Sequence, residues 1–167
     1  GVNLETFQAI IDRKSCRSFH EKPVTKDLVE KLIDAGRRAP SANNIQPVEY
    51  IIVTDADMRE KIASITDYGG FLKNAPACIV VIAQDTKNFL EDGCAAVENI
   101  LIAASDQALG ACWIAGDKKD YAESVLELLL APANYKLVAL IPVGWPKTTR
   151  EPREKKPLVD VLHWHKF

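Results

Sequence analysis

An α/β or α+β domain with a mostly buried sheet is what this sequence predicts, and three observations carry the prediction. Short apolar, β-branched runs alternate with segments of helical periodicity. One of those runs, 77–83, is apolar on both faces and so belongs in the middle of a covered sheet. At 167 residues, 47% of them hydrophobic and 26% charged, the chain is long enough for one sizeable core and shows no repeat or interior linker. Residues 1–167 therefore read as a single domain.

Leu4, Phe7, Ile10 and Ile11 recur at helical spacing, which predicts a helix over 3–13. Pro23 breaks the chain, and Thr25 is the N-cap of a second helix with Leu28, Val29, Leu32, Ile33 and Gly36 as its buried face. Ala39-Pro40 ends that helix near Arg38, because a residue before proline avoids helical geometry. The amide-rich segment from Pro40 to Pro47 is a loop stiffened at both ends. A strand follows over 48–54, then a helix from Asp55 or Asp57 to 65, a Tyr68-Gly69-Gly70 turn and the strand 77–83. The longest helix spans about 88–109 and is apolar over most of its circumference, so it lies buried inside a domain or an oligomer. Gly110 is its C′ residue. A short strand over 111–116, a helix over 121–130 closed by Ala131-Pro132, and a last core strand over 136–143 complete the fold.

Beyond Trp145-Pro146 the character changes. Residues 147–156 form an extended arm carrying Lys147, Arg150, Arg153, Lys155 and Lys156 against Glu151 and Glu154. Leu158, Val159, Val161, Leu162, Trp164 and Phe167 follow. Apolar residues this dense are costly to expose, so they should dock on this chain or on a partner subunit.

The formal net charge of −2 offers no general match to nucleic acid or to an anionic membrane, so any basic site must be local. Four cysteines with no CxxC pair give no zinc or thioredoxin-like spacing. Reduced thiols, with no signal peptide and no bilayer-spanning run, set a cytoplasmic location as the expectation. Dinucleotide, P-loop, zinc-protease and nucleophile-elbow motifs are all missing, and nothing pairs His20, His163 or His165 into a dyad.

Two cationic segments remain, near 13–17 and 150–156, together with the amide-rich loop and the glycine that ends a buried strand. Arg13, Ser15 and Arg17 alternate, so in an extended chain they point to one side as an anion cradle. By themselves these five residues fit a solvated basic turn following a helix better than a cradle. Taken together, the set suits a phosphorylated cofactor with a polar heterocycle.

The pieces Arg13-Lys14-Ser15-Cys16-Arg17-Ser18-Phe19 and Ala39-Pro40-Ser41-Ala42-Asn43-Asn44-Ile45-Gln46-Pro47 resemble the FMN-dependent nitroreductase family. So do Ala108-Leu109-Gly110-Ala111-Cys112-Trp113-Ile114 and Lys156-Pro157-Leu158 leading to His163-Trp164, in the family's order over nearly the whole chain. The length is that of a small, minimal member. This resemblance implies an α+β fold: a central mixed sheet flanked by helices, a long buried central helix, and a C-terminal arm embracing the partner of a homodimer. FMN would lie at the interface.

Position by position, the resemblance gives Arg13, Lys14 and Ser15 to the phosphate and ribityl side and Arg17 to the ring near N1. Pro40, Ser41, Ala42 and Asn44 match the loop laid on the flavin by the partner. Ala115 and Gly116 match backbone donors near N5, and Arg153 and Lys155 match C-terminal phosphate contacts, with Lys156 the adjacent alternative. Val48 and Trp145 depart from the residues many members carry there, and in 66–73 no ring contact is assigned beyond a suspicion of Lys73. Trp113, Trp145 and Tyr68 are pocket or core aromatics.

The activity implied is hydride transfer from NAD(P)H through flavin N5, by a ping-pong mechanism, to a nitroaromatic, quinone or similar acceptor. No side chain is then required as acid or base. A non-catalytic FMN-binding sensor or flavin store would share the same phosphate cradle. No partner among metals, nucleic acids or membranes is expected.

Overall fold

A computed structural model of the protein describes residues 6–67 and 69–167. Leu4 and Tyr68, singled out above, lie outside the described residues.

Five strands form one sheet: β1 (Val48–Val53), β2 (Ala77–Gln84), β3 (Gly110–Ala111), β4 (Ile114–Ala115) and β5 (Tyr135–Gly144). Their order is β1-β2-β5-β3, with β4 also against β5, and every pair is antiparallel. Among the described residues the parallel component of the expected mixed sheet is one bridge, Ser15 to Ala111. Residues 77–83 are all buried, as their two-sided apolarity requires. Ile79, Val81 and Ala83 join one core cluster, whereas Cys78, Val80 and Ile82 join the other, following the period of two along a strand.

The helices α2 (Lys26–Arg37) and α4 (Phe89–Asp106) cover the first of these faces, and α1 (Thr6–Asp12) packs on α4. The helices α3 (Ala56–Ile65) and α5 (Ala122–Leu128) cover the second. Thr25 caps α2 by accepting from the Leu28 N–H, and Asp55 caps α3 by accepting from Met58 N–H at 2.8 Å. Val97, Ile100 and Leu101 of α4 pack on Leu32 of α2 and on Ile79, Val81 and Ile141 of the sheet.

Three details depart from the sequence reading. Helix α4 ends at Asp106, and the left-handed C′ position falls on Ala108 (φ 57°), where Leu109 N–H reaches Ala104 O at 2.9 Å. Gly110 is therefore a strand residue. The strand expected over 111–116 is present as β3 and β4, both in one register against β5. Its interruption sits opposite Pro142, which has no N–H to donate; Cys112 N–H still reaches Pro142 O at 3.3 Å. Lastly, the apolar stripe of α1 faces outward: Ala9 is buried, whereas Phe7, Ile10 and Ile11 are exposed.

The arm after Lys147 has no regular structure until a 3-10 turn at Leu158–Asp160. The apolar residues beyond it find no cover on their own chain, with Leu158 71% and Trp164 76% exposed.

Helix α5 closes with Leu130 in the left-handed region (φ 56°), 89% exposed, while Ala131 N–H bonds Leu126 O at 3.0 Å. Glycine takes this conformation without the clash that a branched side chain meets. Replacing Leu130 by Gly should therefore raise stability by about 1 kcal/mol, or roughly 2–4 °C in Tm for a chain of this size. An unchanged or lower Tm in calorimetry would count against left-handed strain at this cap.

Candidate functional site

The segment after α1 runs as an extended edge beside β3 and the chain following β5. Cys16 N–H bonds Ala111 O at 2.9 Å, His20 N–H bonds Trp145 O at 2.9 Å, and Lys147 N–H bonds Ser18 O at 2.9 Å. A second bridge pairs Phe19 with Pro146. The expected alternation is not kept: Cys16 and Phe19 are buried, and Arg13, Lys14, Ser15 and Arg17 all border a cavity of about 540 Å³ that Cys16 and Ser18 also line.

The far wall of this cavity is Leu101, Ser105 and Ala108 at the end of α4, together with Gly110 and Ala111 of β3. Thr148, Thr149 and Arg150 of the arm close it. Four cations, Arg13, Lys14, Arg17 and Arg150, line it against one carboxylate, Asp12. Arg13 Nε stands 3.9 Å from Glu98, and among the described residues Lys14, Arg17 and Arg150 enter no ion pair. Such a cavity attracts an anion.

The approach of the two backbones requires Gly110. A Cβ there would lie 2.5 Å from Cys16 Sγ and 2.7 Å from Cys16 Cβ. Burial pushes the Cys16 and Cys112 thiols up; Lys14 and Arg17 beside Cys16, and Arg17 and Arg13 beside Cys112, pull the other way without reversing it. Both sulfurs are therefore neutral thiols at pH 7, and a thiolate nucleophile is not on offer.

Ala115 and Gly116 continue the same edge. Gly116 N–H is taken up by Val138 O at 3.2 Å, and a Cβ on it would meet Leu137 Cγ at 2.6 Å. Because antiparallel residues alternate, the Ala115 N–H points to the open side of the edge. The Ala115 carbonyl accepts from the Tyr121 hydroxyl, which fixes that peptide.

The loop from Pro40 to Asn44 does not line the cavity. Asn43, Asn44 and Gln46 all have left-handed backbones (φ 54°, 54° and 57°), which asparagine tolerates better than most residues. Two hooks hold this shape. Ser41 Oγ accepts from Gln46 N–H at 2.9 Å, and buried Asp92 accepts from Ala42 N–H at 3.0 Å. Asp92 stands nine residues, about 14 Å, along α4 from Leu101, the nearest helix residue of the cavity wall.

Arg153, Lys155 and Lys156 are exposed and lie outside the cavity wall; Arg150 is the arm cation that reaches it. Arg150 was visible in the sequence only as one charge among five. Ser105, Thr148 and Thr149 carried no signal there. Trp145 donates to Pro23 O at 3.2 Å under the Lys22 ammonium, so it clamps the chain before α2. Trp113 is partly exposed at the β3–β4 edge. Among the described residues no His, Cys, Asp and Glu group could hold a metal ion, and no helix is long and apolar enough to cross a membrane.

Residues 10–67 and 66–145 match the model of the nitroreductase family. An Archaeoglobus fulgidus protein named "Putative NADH dehydrogenase/NAD(P)H nitroreductase" is 31% identical over 154 residues, 88% of each chain. A crystal structure under the same name from Bacteroides thetaiotaomicron superposes with a TM-score of 0.93 at 29% identity, covering 97% of this chain and 98% of that one. An FMN-dependent nitroreductase from Clostridium difficile superposes with a TM-score of 0.89 at 26% identity, covering 96% and 99%.

Proposed function

The chain belongs to the nitroreductase family, and we propose that it is an NAD(P)H-dependent oxidoreductase that holds FMN in the cavity beside residues 13–17. The observation that carries this reading is the cavity itself. Arg13, Lys14, Ser15 and Arg17, four residues expected at the cofactor, surround one volume together with Arg150, and Gly110 lets the segment that carries them lie close against β3. Cations, of which only Arg13 stands in an ion pair among the described residues, and a hydroxyl suit a phosphate.

When bound, FMN would supply a hydride-accepting N5 for NAD(P)H and electron delivery to a nitroaromatic, quinone or similar acceptor, in two ping-pong half-reactions. The protein's own part is orientation and charge. Arg13, Lys14, Ser15 and Arg150 would hold the phosphate end, with Arg153 and Lys155 of the arm as further phosphate partners. Arg17 sets a positive charge beside the ring. Along the β3–β4 edge the Ala115 N–H is the available backbone donor, and Gly116 beside it keeps the edge packed against Leu137 and Val138.

A second copy completes the site in this reading. The loop bearing Pro40, Ser41, Ala42 and Asn44 is held by Asp92, away from its own cavity wall, so it would serve the cavity of a partner. The outward apolar residues of α1 and of the arm are the surfaces such a homodimer would cover.

The test is to saturate the purified protein with FMN, desalt it, and add NADH or NADPH without oxygen. Retained flavin whose absorbance bleaches is the expected result. Flavin that is retained but stays oxidised would mark a store or sensor, and no retained flavin would overturn the cofactor site. Arg17→Ala should lower the reduction potential of bound FMN by the equivalent of about 1–3 kcal/mol, the scale of a charge-assisted contact. An unchanged potential at intact FMN affinity would remove Arg17 from the ring.

A further inference from the structure

A second cavity, of about 500 Å³, lies on the other side of Arg17 and Ser18. Its walls come from four separate parts of the chain: Arg17 and Glu21 after α1, Arg59 on α3, Lys73 on the 3-10 turn Gly70–Asn74, and Lys147 after β5. Four cations face it against one carboxylate, a local excess of three positive charges in a chain whose net charge is −2. Among the described residues Arg17, Lys73, Lys147 and Arg59 enter no ion pair, so Glu21 is the lining's own counter-charge.

The lining is fixed in place. Arg59 Nη1 donates to Lys73 O at 2.8 Å and to Ala75 O, pinning the turn that carries Lys73 to α3. Lys147 N–H bonds Ser18 O at 2.9 Å, which sets that lysine against the Arg17 segment. The Arg17 guanidinium stands 5.8 Å from the Phe71 ring centroid, so the side chain forms a partition between the two cavities.

We propose that this second cavity binds the diphosphate of the nicotinamide dinucleotide donor, with Lys73 and Lys147 as its charge contacts. The inference rests on the oxidoreductase reading above. A dinucleotide carries two negative charges at its diphosphate, one ribose away from the nicotinamide. A cation-rich cavity sharing a wall with the flavin cavity suits that separation. Unpaired ammonium groups on fixed elements bind such an anion without first giving up another partner.

The experiment uses the FMN-loaded protein and the variants Lys73→Gln, Lys147→Gln and their combination. Each single change should raise KM for NAD(P)H about 3- to 10-fold, a charge-assisted contact discounted for solvent screening, with FMN affinity unchanged. Inorganic diphosphate should inhibit the wild type competitively against NAD(P)H at constant ionic strength, and should lose that potency on the double variant. Calorimetric titration of diphosphate into protein kept in excess FMN reads the same site without turnover. It should give binding to the wild type and a loss of about 10-fold or more in the double variant. Equal diphosphate affinity for wild type and double variant, or inhibition that competes with FMN in place of NAD(P)H, would overturn the proposal. Failure of the flavin reading shows separately, as flavin not retained by the wild type.

Discussion

Gly110→Ala should remove most FMN affinity while leaving the sheet assembled. The added methyl would sit 2.5 Å from Cys16 Sγ and 2.7 Å from Cys16 Cβ, so the segment carrying Arg13, Ser15 and Arg17 must move off β3. Overpacking of this kind costs about 1–3 kcal/mol, which as lost affinity is about 5- to 150-fold. Quenching of FMN fluorescence on binding measures it, and far-UV circular dichroism checks that the fold persists. The double variant Gly110→Ala with Cys16→Gly moves the methyl across the bridge and should recover part of the loss. Wild-type affinity in the single variant would mean that FMN does not depend on the spacing between these two backbones.

The second large effect is expected at Asp92. Removing this carboxylate by Asp92→Ala leaves the Ala42 N–H without its acceptor beneath a loop with three left-handed residues. The orphaned group costs about 1–3 kcal/mol of stability. Hydrogen exchange at the Ala42 amide should accelerate, and FMN affinity should fall with it, because Ser41, Ala42 and Asn44 lose their fixed positions. Asp92→Asn keeps an acceptor of the same shape and should recover most of both. Unaltered exchange at Ala42 in the alanine variant would show that Ser41 and the flanking prolines hold the loop without help.

Those two sites mark where the sequence could and could not be read. The strands read at 48–54, 77–83 and 136–143, observed at 48–53, 77–84 and 135–144, were evident because continuous apolar, β-branched runs have few other uses, and helix α2 because Thr25 and Ala39-Pro40 bracket it. Arg13, Ser15 and Arg17 stood out by alternation, but Lys14, Cys16 and Ser18 between and beside them line the same cavity. Asp92 did not stand out: an aspartate in the first turn of a helix looks like a helix-dipole partner, and its bond to Ala42 spans 50 residues. Pro142 interrupts the edge strand through a missing N–H on its neighbour, a cause that no pattern within 111–116 contains. Arg150 and Arg153 are both arginines in an irregular arm, and only the path of that arm selects Arg150 for the cavity.

The bare apolar tail has a thermodynamic consequence. If its cover comes from a second copy, the free energy of folding contains a term in protein concentration, and dilution acts as a denaturant by mass action. A cofactor cradled between copies adds its own concentration to the same balance. Scarcity of flavin and scarcity of the polypeptide then become interchangeable stresses on one equilibrium.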